Sequence, residues 1–331
     1  MAKMPAETGE ERLIARYFAP LATHPGAFGL TDDAAMLTPP PGSDLVATKD
    51  AIVAGVHFFP ADPADAVARK ALRVNLSDLA SKGAAPAGFL LALALPESVK
   101  DDWLKSFAQG LGADIEAYGC PLLGGDTVRT PGPLMASITA FGFVPHGKMV
   151  RRQGAQAGDR VFVTGTIGDA ALGLKLHADA AARWKLDGAM REHLLSRYLL
   201  PQPRNALAVV IQKYASAAMD VSDGLAGDLA KLCRASGVSA KIDIALVPLS
   251  DAAGAALAAE PALIETVLAG GDDYEILCTV PAAETDTFVT AARSLGVQAT
   301  DIGRVTAGAG APRFLRDGEP VSLDKTSFSH F

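Results

Sequence analysis

The chain has 331 residues, of which 49% are hydrophobic and 20% are charged, and its formal net charge is −7. This length and apolar content predict two globular domains with a large buried core and exclude intrinsic disorder. The charges are scattered without a Lys/Arg run, which argues against nucleic acid as a partner.

The first half predicts alternating helices and strands. Thr8 and Glu11 form a capping box ahead of apolar residues at helical spacing, which predicts a short amphipathic helix. Asp62 followed by Pro63 is typical of a helix start, and Gly83 is typical of a helix end. The further elements predicted up to residue 144 are a strand at 44–48 ending at Asp50, a helix at 63–82, a strand at 87–95, a helix at 97–118 and a strand at 134–144.

The second half begins with the polar, turn-rich segment 150–159, which predicts the domain boundary and hence domains at 1–148 and 149–331. Beyond it, strands are predicted at 160–164, 216–219, 240–244 and 274–280, and helices at 168–178, 203–214, 223–235 and 283–295. Both domains therefore have the pattern of α/β or α+β architecture.

Three widely spaced cysteines, Cys120, Cys233 and Cys278, fit neither a disulfide framework nor a zinc site, so reduced, buried thiols are expected. The start of the chain lacks the apolar core of a signal peptide, and the most apolar stretch, 87–95, is too short to span a bilayer. We therefore expect a cytoplasmic protein without a membrane partner.

Motifs of the common phosphate-binding loops, protein kinases, serine hydrolases and zinc proteases are absent from the sequence. Instead, Asp recurs beside Gly, Ser or another Asp. Single motifs of this kind are also explained by turns and helix caps. Gly124-Gly125 and Gly270-Gly271 permit either close approach to a ligand or tight turns. Arg152 suits a phosphate contact or a solvated surface, and His57 suits a site or a structural role.

The stretch 220–228, DVSDGLAGD, places three carboxylates at a predicted strand-to-helix junction. Asp220 and Asp223 repel each other unless a cation lies between them, and the stretch contains no Lys or Arg. Mg²⁺ takes carboxylate ligands and bridges to phosphates, so the pattern predicts metal-assisted phosphoryl transfer. Ser222 is expected to contact phosphate and cap the helix, Asp223 to lie in its first turn, and Gly224 to leave space for a nucleotide. Asp228 is expected to be structural.

Seven motifs in sequence order resemble the thiamine-monophosphate kinase family, of the superfamily that includes aminoimidazole-ribonucleotide synthetase. They span nearly the whole chain and are Asp32-Asp33-Ala34-Ala35, Gly55-Val56-His57-Phe58, residues 70–80 (KALRVNLSDLA), Gly124-Gly125-Asp126-Thr127, Val163-Thr164-Gly165, Asp220-Val221-Ser222-Asp223-Gly224-Leu225 and Gly271-Asp272-Asp273-Tyr274-Glu275. The resemblance implies an N-terminal mixed sheet with helices that builds a homodimer interface, a C-terminal α/β domain, and an active-site cleft that the second domain completes. It also implies ATP-dependent phosphorylation of thiamine monophosphate to thiamine diphosphate by direct in-line transfer with several Mg²⁺ ions.

The resemblance further implies a role for each matching residue. The implied metal ligands are Asp33, Thr48, Asp50, Asp78, Asp126, Asp220 and Asp223, of which Asp33, Asp78, Asp126, Asp220 and Asp223 would serve catalysis through bound Mg²⁺. The implied ATP contacts are Gly125, Asp126, Arg152 and Ser222, and the implied contacts to thiamine monophosphate are His57, Asp272 and Phe328.

Three departures from the family pattern stand beside these matches. Thr31 replaces a Gly, Lys49 replaces a hydroxyl residue, and Asp272 stands where Glu is frequent. Lys49 either contacts phosphate or points to solvent. Two alternatives remain at this point: another ATP-dependent synthetase or cyclase of the same superfamily, and a non-catalytic protein that binds Mg²⁺ and nucleotide.

Overall fold

The computed structural model describes residues 9–178, 184–325 and 327. The chain forms two compact units. The first comprises the residues up to Leu76 together with Pro86–Pro145, and the second comprises Ser77–Ala85 together with the residues from His146 onward. The sequence predicts a single break near residue 148, whereas the contacts assign the short segment Ser77–Ala85 to the second unit.

The first unit is built around a four-stranded mixed sheet. Its order is β1-β4-β2-β3, with β1 antiparallel to β4 and β2 parallel to β3. The elements up to Pro145 are α1 (Gly9–Leu13), continued by a π-helix at Ile14–Phe18, two 3₁₀ helices at Ala19–Leu21 and Pro25–Leu30, β1 (Ser43–Val53), α2 (Ala64–Ser81), β2 (Ala85–Leu95), α3 (Asp101–Tyr118), β3 (Leu122–Arg129) and β4 (Met135–Pro145). The last turn of α2 and the first residue of β2 belong to the second unit.

Helix α3 illustrates how the sequence sets these elements. Leu104, Phe107 and Leu111 recur at helical spacing and are buried, so one face of the helix packs on the core. Gly119 follows with φ 60°, in the left-handed region that ends many helices. The predicted position and end of this helix are therefore confirmed to within four residues.

The second unit is built around a seven-stranded sheet of order β11-β10-β7-β9-β5-β8-β6. Its elements are β5 (Arg160–Thr164), α4 (Asp169–His177), α5 (Gly188–Leu199), a 3₁₀ helix at Asn205–Leu207, α6 (Ala208–Tyr214), β6 (Ala217–Asp220), α7 (Leu225–Ser236), β7 (Ser239–Asp243), a 3₁₀ helix at Ile244–Leu246, α8 (Asp251–Ala259), a 3₁₀ helix at Pro261–Leu263, α9 (Ile264–Ala269), β8 (Ile276–Val280), a 3₁₀ helix at Ala282–Glu284, α10 (Thr285–Ser294), β9 (Ala299–Thr306), β10 (Arg313–Arg316) and β11 (Glu319–Val321). Among the strand pairs of this seven-stranded sheet in the described residues, β10 and β7 pair in parallel and the others are antiparallel.

Strand β5 lies in the middle of this sheet and is covered on both faces. Val161 and Val163 pack in one apolar cluster, whereas Phe162 packs in another and meets Phe288 edge-on at 5.1 Å between ring centroids. A strand buried on both faces has a nearly continuous apolar sequence, and the run Val161-Phe162-Val163 is why the strand at 160–164 is predicted correctly. The two-domain mixed α/β architecture is confirmed.

Three expectations about local structure are wrong. Asp50 lies inside β1 and does not end it, because the strand continues to Val53. Gly125 and Asp126 lie inside β3, a strand that the sequence does not predict since its Gly-Gly pair is typical of a turn. Helix α7 begins at Leu225, so Asp223 lies in the loop before it. Thr8, which the predicted capping box needs, is outside the described residues.

The three thiols are buried and form no disulfide, as expected. Burial raises the pKa of Cys120 to about 12, and it does the same for Cys278. None of the helices in the described residues combines the length and the apolar composition that a membrane crossing requires.

Candidate active site

The sheet of the first unit lines a cavity of about 810 Å³. Three predicted site residues, Asp33, Gly125 and Asp126, are among its lining residues, together with apolar side chains such as Leu90 and Phe141. Ligand pockets commonly have this size and a mostly apolar lining with a few polar groups. The structure therefore brings two of the predicted carboxylates to one cavity of nucleotide dimensions.

Strand β1 carries two other predicted ligands of this unit, Thr48 and Asp50, on the face opposite to Lys49. Lys49 lines the cavity, and its Nζ donates to Ser137 Oγ at 2.6 Å. Side chains alternate along a strand, so Thr48 and Asp50 lie on the opposite face, where the Asp50 amide donates to Asn75 of α2 at 3.0 Å. Lys49 is therefore directed to the cavity and bonded to Ser137, and its contact with phosphate stays a prediction.

His57 closes a turn after β1. Its Nδ1 accepts a hydrogen bond from the Val53 amide at 3.1 Å, and its own amide donates to the Val53 carbonyl at 2.9 Å. Because Nδ1 is the acceptor, a neutral His57 carries its proton on Nε2. The half-buried ring thus has a structural role in this turn, and its contact with the substrate stays a prediction.

In the second unit, Asp220 lies at the end of β6 and is buried. Burial is the main cause that raises the pKa of Asp220 well above its usual value of 3.8, and the neighbouring carboxylate of Asp78 raises it further. Ser77 donates a hydrogen bond to the Asp220 carboxylate, and its hydroxyl also approaches the Tyr274 carbonyl at 3.3 Å. The structure therefore brings together Asp78 and Asp220, which are 142 positions apart in the sequence.

Lys82 is a member of this cluster that the motifs do not identify. Its Nζ donates to the Ala218 carbonyl of β6 at 2.7 Å. Burial lowers the pKa of Lys82 to about 8, opposed by the carboxylates of Asp220 and Asp78 and assisted by the charge of Arg152. Lys82 follows the last residue of α2 and comes four residues after Asp78, and its amide still donates to the Asp78 carbonyl at 3.1 Å. This spacing, which places two side chains on one helix face, is the signal in the sequence that points to it.

Arg152 is exposed, and its charge is close enough to lower the pKa of Lys82. Its carbonyl accepts a hydrogen bond from Ser236 Oγ at 3.0 Å. The predicted ATP contact Arg152 therefore lies in the same part of the second unit as the predicted metal ligands Asp78 and Asp220.

The third carboxylate of the DVSDGLAGD stretch, that of Asp228, holds the backbone of the stretch in place. Asp228 is fully buried and accepts from the amides of Ser222 at 3.0 Å and Asp223 at 2.9 Å, so its predicted structural role is confirmed. Burial raises the pKa of Asp228. Ser222 does not cap α7, because the residue before the helix is Gly224 and no side chain bonds there. Gly224 has φ 107°, and a Cβ would lie 2.6 Å from the Ala269 carbonyl carbon, so the fold itself requires this glycine.

The stretch itself contains no Lys or Arg, but the fold places lysines from other positions beside its carboxylates. Lys231, two turns along α7, forms ion pairs with Asp223 and with Asp228, the latter at 2.8 Å. Lys82 supplies positive charge near Asp220. These acids are therefore not left uncompensated by the lack of Lys and Arg in the stretch, because Lys231 of α7 and Lys82, which follows α2, already reduce the repulsion.

The Gly-Asp-Asp-Tyr-Glu motif forms a strained loop beside Ser222. Asp272 has φ 72° and Tyr274 has φ 51°, a region that costs free energy for residues other than glycine. The Asp272 amide donates to the Ser222 carbonyl at 2.9 Å, and the Tyr274 amide donates to the Val221 carbonyl at 2.8 Å. Two predicted site residues, Ser222 and Asp272, are thus adjacent. Phe328 lies outside the described residues.

Glu275 anchors this loop in the core. Its buried carboxylate accepts from Arg197 Nη2 at 2.8 Å, from Arg204 Nη2 at 2.5 Å and from Thr164 Oγ1 at 2.7 Å. Two guanidiniums on one carboxylate form a strong, directional contact in a buried position. Arg197 and Arg204 are missed by the motifs, since no local pattern links them to residue 275.

Asp273 makes the second anchor, and it gives a pH dependence. Its carboxylate accepts from the amides of Gly168 at 2.7 Å and Ala170 at 3.3 Å, yet burial raises its pKa well above 3.8.

As the pH rises, the unfolded chain releases the Asp273 proton before the folded protein does. The stability that protonated Asp273 contributes below about pH 4 is therefore lost as the pH passes through the folded-state pKa. We expect the melting temperature of the wild type, minus that of Asp273→Asn, to fall as the pH rises above about 4, measured by circular dichroism in EDTA. A difference that stays constant or grows with pH would contradict this.

Gly125 is required by the close approach of two strands. A Cβ at this position would lie 1.8 Å from the Leu91 carbonyl oxygen, whereas at Gly124 its nearest neighbour is the flexible Leu90 Cδ2 at 3.3 Å. We expect Gly125→Ala to lower the free energy of unfolding by about 3 kcal/mol and Gly124→Ala, the matched control, by less than about 1 kcal/mol. Urea titration measures both, and equal losses would show that the strand spacing is not the cause.

The side chains present suit a Mg²⁺ ion that takes only one or two of its ligands from the protein. In the part of the chain that the structure describes, no group of three or more His, Cys, Asp or Glu side chains is arranged to hold a metal ion. Mg²⁺ is often held by one or two carboxylates, with waters and substrate phosphates completing its coordination. The neighbouring carboxylates of Asp78 and Asp220 fit that pattern, and so does Asp223, whose side chain is 39% exposed.

Comparisons with known proteins extend over both units. Residues 31–144 match the AIR synthase related protein, N-terminal domain, and residues 156–313 match the AIR synthase related protein, C-terminal domain. The thiamine-monophosphate kinase of Caulobacter vibrioides is 43% identical over 325 residues, which cover 96% of this chain and 89% of that protein.

Solved structures give the same result. The crystal structure of thiamine-monophosphate kinase from Stenotrophomonas maltophilia K279a superposes with a TM-score of 0.78 at 40% identity, covering 88% of this chain and 91% of that one. AaThiL complexed with AMPPCP and TMP superposes with a TM-score of 0.77 at 32% identity, covering 92% and 97%. The chain therefore belongs to the thiamine-monophosphate kinase family of AIR synthase related proteins.

Proposed function

We propose that this protein is an ATP-dependent kinase that phosphorylates thiamine monophosphate to thiamine diphosphate. The observation that carries the proposal is the 43% identity to a thiamine-monophosphate kinase along 96% of the chain. A similar structure contains AMPPCP and TMP, and AMPPCP is an ATP analogue that cannot transfer its terminal phosphoryl group. The activity belongs to thiamine diphosphate biosynthesis.

The residues of each unit have separate proposed roles. In the first unit, Asp33 and Asp126 would hold Mg²⁺ at the cavity, Gly125 and Asp126 would contact ATP, Thr48 and Asp50 would hold Mg²⁺ on the other face of β1, and His57 would contact the substrate. In the second unit, Asp78, Asp220 and Asp223 would hold Mg²⁺, Arg152 and Ser222 would contact ATP, and Asp272 would contact the substrate. Phe328 is proposed as a further substrate contact.

The chemistry needs little covalent participation from the protein. A phosphate oxygen of thiamine monophosphate attacks the γ-phosphorus of ATP, and the bond from that phosphorus to the β-phosphate oxygen breaks to release ADP. The nucleophile is already a phosphate oxygen, so no protein general base is required. Bound Mg²⁺ would supply charge neutralisation. Arg152 and Lys82 add positive charge where Asp78 and Asp220 are close together.

We further propose a cytoplasmic homodimer that uses Mg²⁺. Leu45 on β1 and Val128 on β3 are each 48% exposed, and these two strands are the edges of the first sheet. Exposed apolar side chains on sheet edges favour association with another chain. Light scattering during size exclusion is expected to give about twice the 34.1 kDa chain mass. A molar mass equal to one chain would contradict the homodimer.

The decisive experiment is product analysis. The purified protein is incubated with ATP, thiamine monophosphate and MgCl₂, and ³¹P NMR follows ATP, ADP and thiamine diphosphate. We expect one thiamine diphosphate for each ADP. Omitting thiamine monophosphate, or replacing it with an aminoimidazole-type ribonucleotide precursor, is expected to abolish ADP formation. Turnover of the ribonucleotide alone would favour the synthetase or cyclase alternative. Calorimetric binding of ATP with Mg²⁺ but without any product would favour the non-catalytic alternative.

A further inference from the structure

Lys231 contacts two carboxylates that have different surroundings. Its Nζ pairs with Asp223 Oδ2 and lies 2.8 Å from Asp228 Oδ1. The Asp228 side chain is fully buried, whereas the Asp223 side chain is 39% exposed. One partner of this lysine is therefore fixed inside the unit, and the other faces solvent and ligands.

The fixed partner keeps Lys231 in place independently of Asp223. Asp228 lies three residues earlier on the same helix, and its second oxygen holds the amides of Ser222 and Asp223. If the Asp223 carboxylate turned away, the ammonium would still be paired with Asp228. The contact to Asp223 can thus break without leaving a buried charge unpaired, which is the costly outcome for a buried pair.

We propose that Lys231 is a positioning residue for Asp223: it holds this carboxylate in the metal-free protein and must release it when a divalent cation binds. The inference rests on the proposed function, in which Asp223 is a metal ligand. Lys231 occupies one of the oxygens that a cation needs and places a positive charge beside the site. It therefore sets the cation concentration at which the second unit becomes loaded.

The test measures metal binding directly, without turnover. Mn²⁺, a spectroscopic substitute for Mg²⁺, is titrated into the full chain without nucleotide, and free Mn²⁺ is counted by electron paramagnetic resonance. Removing a cation that competes for the same carboxylate is expected to tighten Mn²⁺ binding about threefold to tenfold in Lys231→Gln. Lys231→Arg keeps the charge and is expected to stay within about twofold of the wild type.

The matched control is Arg234→Gln. Arg234 is an exposed cation on the same helix, so this variant removes the same amount of charge from α7 without touching the lysine that bonds Asp223 and Asp228. Its Mn²⁺ affinity is expected to match the wild type. Equal tightening in Arg234→Gln and Lys231→Gln would show that net charge alone is responsible and would overturn the inference.

A second variant keeps the test valid if Lys231→Gln fails to fold, because that substitution leaves the buried Asp228 carboxylate without the Lys231 ammonium. In Asp228→Asn/Lys231→Gln the buried charge is removed together with its partner, while the Asn oxygen still accepts from the two amides. This double variant is expected to fold by near-ultraviolet circular dichroism and to show the same tightening. Unchanged or weaker Mn²⁺ binding in folded Lys231→Gln, or in the folded double variant, overturns the inference.

The outcomes separate this inference from the proposed function. A wild type that binds no Mn²⁺ contradicts the metal assignment itself. A wild type that binds Mn²⁺ and makes thiamine diphosphate, with variants that bind no tighter, refutes only the role of Lys231. Tightening in a protein that makes no thiamine diphosphate supports Lys231 and refutes the kinase activity.

Discussion

Asp220→Asn is expected to lower kcat by at least about a thousandfold. The carboxylate is a proposed Mg²⁺ ligand, and the charge stabilisation that a metal supplies in phosphoryl transfer is worth several kcal/mol, or about tenfold in rate for each 1.4 kcal/mol. The neutral amide is a weaker ligand of the same shape. Initial rates of thiamine diphosphate formation at saturating Mg²⁺ measure the effect, and retention of most of the activity would remove Asp220 from the metal site.

The same substitution is expected to leave the fold intact and the metal-free protein no less stable. Burial and the nearby Asp78 raise the pKa of Asp220, so the ionised carboxylate is unfavourable there without a metal, and a neutral amide relieves this. The melting temperature in EDTA is expected to equal or exceed that of the wild type. Asp286→Asn, at an exposed acid in the first turn of α10, is the control and should change neither rate nor melting temperature. A melting temperature well below the wild type would attribute the lost activity to misfolding.

Glu275→Gln is expected to cause the largest loss of stability, about 3–5 kcal/mol in the free energy of unfolding. The side chain of Glu275 is completely buried and faces Arg197 and Arg204, whose side chains are only 5% and 21% exposed. With Gln at position 275, the two guanidiniums face a neutral group. The amide nitrogen of the Gln, itself a hydrogen-bond donor, also points toward another donor. Urea denaturation measures the change.

Two further measurements make the Glu275 prediction specific. Glu284→Gln, at an exposed glutamate, is expected to change the unfolding free energy by less than about 0.5 kcal/mol. Because Glu275 follows the strained residues Asp272 and Tyr274, the variant that remains folded is also expected to show a raised KM for thiamine monophosphate. A small stability loss comparable with that of Glu284→Gln would mean that the two arginines find other partners.

The sequence predicts most of the regular elements because their patterns are local. The apolar run 161–163 becomes the centre of β5, and the spacing of Leu104, Phe107 and Leu111 with Gly119 behind them becomes α3. It fails at β3, because Gly124 and Gly125 have weak strand propensity and Gly125 is required by the close approach of Leu91, a residue of another strand. Such a reason cannot be found in neighbouring residues.

For the site, the sequence by itself determined the family, because the repeated Asp motifs and their order are sufficient to indicate it, whereas metal-assisted phosphoryl transfer by these residues stays a prediction. The tertiary structure alone decided which charges meet. Asp78 reaches Asp220 only because the end of α2 packs in the second unit. Lys82 and Lys231 offset acids that look uncompensated in the DVSDGLAGD stretch. Electrostatic interactions depend on distance and burial, neither of which is written in the local sequence.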